Sequence, residues 1–213
     1  MAAALEPAQH LQYVLRLGDA SLILGQRLAE WCGHGPVIEE DLALTNTSLD
    51  LIGQARLLYT HAGSLDGSGR DEDAFAFRRD VMDFFNPLLV EQPNGDFGVT
   101  LVRQFLFDAW QLPLYEQLAG SADRALADIA AKAVPEARYH LRHSAQWLVR
   151  LGDGTEESHV RVQQALAQLW PFTGELFSAD PVDEAALAAG IGADLGTVRG
   201  HWNETVDTTL GQA

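Results

Sequence analysis

Apolar residues recur at spacings of three and four along four long stretches of this sequence, and this spacing limits the fold more than any other feature. In the first stretch Leu11, Val14 and Leu15 begin one face of a helix that reaches Cys32 and ends at Gly33. No stretch shows the alternation of apolar and polar residues that is typical of a half-buried strand. The sequence therefore predicts an all-α protein.

A second helix is predicted from the acidic run at Glu39, which suits the positive end of a helix dipole, to His61. We expect it to stop before Gly63, because residues 63–70 contain three glycines and two serines and are typical of a loop. Asp71 is a suitable N-cap for a short aromatic helix, and residues 81–85 are expected to be helical again.

A connector is predicted over residues 86–97, which contain two prolines and an Asn-Gly turn pair. A third long helix follows over residues 99–118, with a possible kink at Pro113. Ser121 is expected to cap a fourth helix that continues to Leu151 with a bend at Pro135. Four long helices with a longer connection after the second suit a four-helix bundle with a crossover, and ferritin-like bundles have this arrangement.

Shorter helical segments follow the fourth helix. Thr155 is expected to cap a helix over residues 160–170, and two weaker segments lie around residues 185–189 and 195–210. No internal repeat or low-complexity tract suggests a boundary, so the sequence predicts one domain over residues 1–213.

The composition excludes several classes of function. Thirty acidic residues against 14 Lys and Arg give a formal net charge of -16, which disfavours binding to DNA or RNA. No apolar stretch approaches the roughly 20 residues that span a bilayer. The single cysteine, Cys32, cannot form an internal disulfide, and the N-terminal residues do not resemble a signal peptide, so we expect a cytoplasmic protein.

Ferritin-like bundles often hold two metal ions, with a Glu-x-x-His pair on each of two helices. Among the seven histidines, only His159 has a glutamate three residues earlier, Glu156. This pair lies in the first turn of a predicted helix, where acids usually serve the helix dipole. The sequence therefore does not contain the two Glu-x-x-His pairs that a di-metal site needs. We interpret Glu156 as part of a helix cap.

Other pairs on one helix face are Glu136 with His140, Glu30 with His34, and His140 with His143. Each could in principle hold a metal, but surface pairing or a hydrogen-bonded inner histidine is the simpler interpretation.

Asp108 lies among aromatic and aliphatic residues of the third helix and needs a partner if it faces inward. Arg103, Arg138 or a histidine is the expected partner.

The sequence lacks the G-x-S-x-G, G-x-G-x-x-G and G-x-x-x-x-G-K-[ST] motifs. No motif therefore indicates a nucleophilic enzyme or a nucleotide-binding protein.

Several strings carry a specific resemblance that runs in order from about Leu11 to Leu176. The chain resembles the structural component PaaC of the bacterial multicomponent phenylacetyl-CoA monooxygenases, also called ring 1,2-epoxidases. The strings are Arg16-Leu17-Gly18-Asp19, Glu30-Trp31-Cys32-Gly33-His34, Leu49-Asp50-Leu51-Ile52-Gly53-Gln54-Ala55-Arg56, Leu89-Val90-Glu91-Gln92-Pro93-Asn94-Gly95 and Glu136-Ala137-Arg138-Tyr139-His140-Leu141-Arg142.

The resemblance implies a ferritin-like bundle that does no chemistry itself. It implies a partner, the homologous catalytic A subunit, which carries a di-iron centre and epoxidises the ring of phenylacetyl-CoA with dioxygen. A reductase delivers the electrons, and the complex also includes a small B subunit. No cofactor and no catalytic or metal-binding residue is expected in this chain.

The ligand pattern of the catalytic sister can be placed on this sequence. Its second-helix Glu-x-x-His matches Leu51 and Gln54, its third-helix acid matches Asp108, and its fourth-helix Glu-x-x-His matches Ala137 and His140. Its first-helix glutamate has no clear acidic counterpart among residues 21–26. We therefore expect Leu51 to pack at the bundle centre and Asp108 to hydrogen-bond His140.

Family members are expected to continue for some tens of residues past the final helix, in a tail that could contact a partner, whereas this sequence ends at Ala213.

Two other functions stay open. The alternative function is a divergent metal-dependent oxidase that uses Asp108, Glu136, His140 and His143. A helical adaptor of unrelated function is a third hypothesis.

Overall fold

The computed structural model describes residues 5–213, and these residues form α-helices and short 3-10 helices without a strand. The all-α prediction is therefore confirmed. The α-helices are α1 Pro7–Ala29, α2 Ile38–Asp66, α3 Glu72–Phe77, α4 Leu88–Glu91, α5 Phe97–Leu118, α6 Arg124–Gly152, α7 Glu156–Leu169, α8 Pro181–Ala188 and α9 Leu195–Leu210.

The four long helices α1, α2, α5 and α6 form the predicted ferritin-like bundle, in which α1 packs along α2, α5 packs along α6, and α2 contacts α6. Two glycines allow α1 to approach α2 closely. A Cβ atom at Gly18 would lie 2.7 Å from the ring of Tyr59, and one at Gly25 would lie 3.0 Å from Ile52. The absence of a side chain at both positions therefore sets the separation of this helix pair.

Helix α5 is the central element, since most of its residues are buried and it packs against α6, α7 and α9. Asp96 caps it, because the Asp96 carboxylate accepts a hydrogen bond from the Val99 amide at 2.9 Å. Helix α5 continues across Pro113, and α6 continues across Pro135.

Several predicted helix boundaries are wrong. Helix α1 spans Pro7–Ala29 and does not reach Cys32. Helix α2 does not stop before Gly63 but continues to Asp66. Gly63 has no side chain, which lets the carbonyl of Arg70 fold back against the helix, only 2.5 Å from where a Cβ would lie. Helix α6 is capped by Asp123 rather than by Ser121, since the Asp123 carboxylate accepts from the amides at 125 and 126.

The crossover between α2 and α5 departs from the prediction in one segment. Asp71 caps α3 as predicted. Residues 81–85 are helical only in part, because a 3-10 helix forms at Val81–Asp83 and Phe84 is extended. The Phe85 amide donates to the carboxylate of Asp19 on α1 at 2.8 Å, and this hydrogen bond holds the extended segment against the bundle. The predicted connector also contains the four-residue helix α4.

The C-terminal helices cover one side of α5. Thr155 caps α7 as predicted, and α9 has the predicted bounds. Helix α8 begins earlier than predicted because Asp180 caps it with Pro181 in its first turn. Two indoles fix this layer: Trp202 Nε1 donates to the Leu106 carbonyl at 3.0 Å, and Trp110 Nε1 donates to the Leu176 carbonyl at 3.1 Å.

Between residues 5 and 213, no helix combines enough length with enough apolar sequence to span a membrane.

Candidate functional site at the bundle centre

The bundle centre lies between α2, α5 and α6, where the resemblance aligns this chain with the metal ligands of a catalytic sister. Leu51 on α2 and Ala137 on α6 are both fully buried. Leu51 packs in the hydrophobic core, as expected. Neither side chain offers a donor atom to a metal, so two of the matched positions lack the chemistry of a ligand.

The amide of Gln54 joins three helices at this level. Gln54 Nε2 donates to Glu136 Oε2 on α6 at 2.9 Å, and Gln54 Oε1 accepts from Gln111 Nε2 on α5 at 3.2 Å. An amide can donate and accept at once, so it satisfies both neighbours without a charge of its own. Glu136 is therefore tied to Gln54 and not to a histidine.

Asp108 is fully buried on α5, but its predicted partners are wrong. Gln104 Nε2 donates to Asp108 Oδ1 at 2.7 Å, and Ser144 Oγ donates to Asp108 Oδ2 at 2.7 Å. Burial raises the pKa of Asp108 to about 7, although the nearby charge of His140 and both hydrogen bonds act in the opposite direction.

The two arginines expected beside Asp108 have other partners. Arg103 donates to the Gln92 carbonyl at 2.5 Å and to Asn94 Oδ1 at 2.6 Å, which ties α5 to the end of the crossover. Burial lowers the pKa of Arg103 to about 10. Arg138 donates to Glu116 at 2.8 Å on the exposed side of α6.

The expected hydrogen bond between Asp108 and His140 does not form. The imidazole of His140 is fully buried, and its Nε2 lies 3.0 Å from Oδ2 of Asp50 on α2. Its Nδ1 is buried and has no hydrogen-bond partner among residues 5–213. Ser144, one turn further along α6, binds Asp108 instead, because its short hydroxyl reaches the carboxylate directly.

The four residues of the oxidase hypothesis are not brought together. Asp108 bonds Gln104 and Ser144, Glu136 bonds Gln54, His140 bonds Asp50, and His143 Nε2 lies 2.9 Å from Glu40 Oε2. Within residues 5–213, the potential metal-binding group of three or more His, Cys, Asp or Glu side chains is a different one: His10, His61 and Asp123.

The remaining sequence pairs serve local structure. His159 Nδ1 lies 2.7 Å from the Gly152 carbonyl, and Glu156 is exposed in the first turn of α7, which agrees with the cap interpretation. Glu30 accepts from Arg27 at 3.0 Å and from Asn94 at 2.9 Å, so it is not paired with His34.

A family model described as phenylacetic acid catabolic protein matches residues 2–213. This chain belongs to that family. It is 53% identical over 201 residues to a protein of Escherichia coli (strain K12) that is named as the C component of the 1,2-phenylacetyl-CoA epoxidase. The alignment covers 94% of this chain and 81% of the relative. The family resemblance drawn from the sequence strings is therefore confirmed.

The sequence analysis did not predict several polar contacts inside the bundle. Asp50 and Glu40 hold the two histidines of α6, and fully buried Asp19 accepts from Tyr59 and Arg79. Asp50 and Asp19 lie inside the resemblance strings, but spacing alone gives no sign of a partner on another helix. Polar residues within long apolar faces are the only indication available in the sequence.

Proposed function

We propose that this chain is a non-catalytic structural subunit of a multicomponent phenylacetyl-CoA 1,2-epoxidase that acts in aerobic phenylacetate degradation. In this proposal it binds the homologous di-iron A subunit, and the full complex further contains a reductase and the small B subunit. Membership of the family and similarity to the C component of an epoxidase support the proposal. We place the protein in the cytoplasm, in agreement with its single cysteine.

The observation that carries this proposal is the chemistry of the bundle centre. Leu51 and Ala137 provide apolar side chains at two matched ligand positions, and Gln54 provides a neutral amide at a third. The two remaining groups, Asp108 and His140, are hydrogen-bonded to separate partners. A di-iron centre needs several carboxylates and imidazoles around one cavity, and this set does not fit one.

An exposed apolar surface on the crossover supports the binding part of the proposal. Phe77, Val81 and Met82 are 75%, 78% and 85% exposed, and they lie within six residues of one another. A second exposed set on α2 consists of Ile38, Leu42 and Leu49. Aromatic and Met side chains are enriched at the buried cores of protein interfaces, and exposed groups of this kind mark interaction sites.

Co-purification with the candidate A subunit tests the binding. We expect the wild-type chain to form a stable complex, and Phe77→Glu combined with Met82→Asp to weaken it at least about tenfold by placing charges in an apolar contact. Leu187→Glu on α8 is the matched control, because Leu187 is also an exposed apolar residue but lies outside both sets. Equal capture of all three proteins would contradict a crossover interface.

Turnover by the assembled complex tests the non-catalytic role. Asp108→Asn and His140→Gln should leave phenylacetyl-CoA turnover near normal, whereas omission of the whole chain should abolish it. A loss of roughly a thousandfold in a correctly assembled complex, which is typical of removing a group that stabilises a transition state, would instead assign chemistry to this chain. Stoichiometric iron in the chain purified alone would favour the oxidase hypothesis.

A further inference from the structure

Two histidines and one aspartate converge at one end of the bundle, away from the matched ligand positions at its centre. His10 lies near the start of α1, His61 lies near the end of α2, and Asp123 is the N-cap of α6. One donor atom from each lies within 4.8 Å of the other two. The three residues are far apart in the sequence, so no short motif reveals them.

Both imidazoles point at the same carboxylate oxygen. His10 Nε2 lies 2.7 Å and His61 Nε2 lies 2.6 Å from Asp123 Oδ2. The side chains of His10, His61 and Asp123 are 18%, 9% and 8% exposed, so the group is largely shielded from solvent but not fully buried. Three protein ligands with one position left for solvent is a common zinc arrangement.

A neighbouring serine contacts both the ring and the backbone of His61. Ser64 Oγ lies 2.6 Å from the His61 carbonyl, to which it donates its only proton, and 3.3 Å from His61 Nδ1. In the neutral tautomer with its hydrogen on Nδ1, the ring donates to Ser64 Oγ and presents the Nε2 lone pair towards the carboxylate oxygen, as a metal ligand requires. Two lone pairs at 2.6 Å repel each other unless a proton or a metal ion lies between them.

Asp123 is also held in place from outside the group. Its Oδ1 accepts from the amides of Ala125 at 3.0 Å and Leu126 at 3.2 Å, so Oδ2 is free to face the imidazoles. The Asp123 amide donates to Ser121 Oγ at 3.1 Å, and Ser121 Oγ donates to the Ile191 carbonyl at 2.8 Å. Outer hydrogen bonds of this kind orient metal ligands.

We propose that His10, His61 and Asp123 bind one Zn²⁺ ion, which joins α1, α2 and the start of α6. Neutral imidazole nitrogens and a carboxylate oxygen are suitable zinc ligands at about 2.0 to 2.2 Å. A tetrahedral site of that size separates its ligand atoms by about 3.3 Å, so small side-chain rotations replace the present hydrogen bonds with metal bonds. The three ligands lie outside the matched positions of the bundle centre.

Titration of the chelator-treated full chain with ZnCl₂ tests the proposal. We expect one Zn²⁺ per chain, a rise in Tm of about 5 to 10 °C at saturating Zn²⁺, and a tetrahedral visible spectrum when Co²⁺ replaces it. His10→Gln and His61→Gln should weaken Zn²⁺ binding at least about 100-fold, and Ser64→Ala should weaken it about tenfold.

Two further variants keep the test decisive. Asp123→Asn retains an oxygen for the helix cap but loses the ligand charge, so it should fold and bind Zn²⁺ weakly. His201→Gln, at an exposed histidine of α9, should bind like the wild type. Zn²⁺ affinity that is equal in all variants, or a Tm that does not respond to Zn²⁺ or chelator, would overturn the proposal and leave a hydrogen-bonded cluster only.

Discussion

His140 Nε2 lies 3.0 Å from Oδ2 of Asp50, so the fully buried imidazole of α6 is held by an acid of α2 whose side chain is 39% exposed. The contact crosses the face where the resemblance places metal ligands. With Nδ1 unpartnered, Asp50 is the only hydrogen-bond partner of this ring among residues 5–213. The pair therefore links α2 to α6 and fixes the orientation of the imidazole.

Removing Asp50 should destabilise the chain. Asp50→Ala leaves both nitrogens of a buried ring unsatisfied, which costs about 1 to 3 kcal/mol in the free energy of unfolding. Asp50→Asn should cost less, because the amide oxygen still accepts from Nε2. Urea unfolding measures the difference, with Asp207→Ala at an exposed position of α9 as control. Equal stabilities of the two alanine variants would show that the pair contributes nothing.

The pKa of Asp108 predicts a specific dependence of stability on pH. Burial raises this pKa to about 7, compared with about 3.9 in an unfolded chain. The folded state therefore keeps a proton that the unfolded state loses, so the free energy of unfolding falls as the pH rises from about 4 to about 7.

Asp108→Asn cannot titrate, so it should gain stability relative to the wild type by up to about 3 kcal/mol between about pH 5 and about pH 8. Urea unfolding at several pH values measures this gain. Asp207→Asn serves as the exposed control. Parallel profiles for wild type and Asp108→Asn would mean that the carboxylate is charged throughout this range.

Leu51→Glu should destabilise the chain by several kcal/mol, because it buries a lone carboxylate in a fully buried apolar position. Leu51→Met keeps the volume and the apolar character, so its cost should stay below about 1.5 kcal/mol. Thermal unfolding compares the two variants. A neutral Leu51→Glu variant, or one that binds iron without further changes, would show that Leu51 does not occupy a former ligand position.

The sequence predicts the four long helices because their apolar spacing reports directly which face is buried. It predicts the caps at Asp71 and Thr155 for the same local reason. The partners of Asp108 and His140 could not be predicted, since they depend on the rotation of one helix against another. A shift of one turn exchanges Ser144 for His140 beside Asp108, and no pattern within a single helix records that choice.

The spacing of α1 and α2 gives a paired glycine test. In Gly18→Ala the new Cβ would lie 2.7 Å from the Tyr59 ring, and the ring cannot move away without straining the 2.6 Å hydrogen bond from its hydroxyl to Asp19. We expect a loss of about 1 to 3 kcal/mol. Gly53→Ala meets nothing within 4 Å and should stabilise α2 by about 0.5 to 1 kcal/mol. Similar effects of the two changes in chemical denaturation would contradict this packing.

Arg79 anchors the crossover to the bundle. Its guanidinium pairs with buried Asp19 on α1, it donates to the Phe75 carbonyl at 2.6 Å, and it lies 4.0 Å from the centre of the Phe84 ring. Burial raises the pKa of Tyr59 most, and the negative charge of the Asp19 carboxylate raises it further. Arg79 therefore supplies a positive charge beside Asp19 and ties the crossover to α1.

Arg79→Ala should cost about 3 to 5 kcal/mol, because it leaves a fully buried carboxylate without a countercharge. Arg78→Ala is the matched control, because Arg78 is exposed. This substitution should change the free energy of unfolding by no more than about 0.5 kcal/mol. The anchor also positions Phe77, Val81 and Met82, so Arg79→Ala should weaken capture of the A subunit even well below its Tm. The reason is that a segment released from the bundle must become ordered again when it binds, which costs free energy. Unchanged capture by a folded Arg79→Ala chain would show that the crossover is not part of the partner interface.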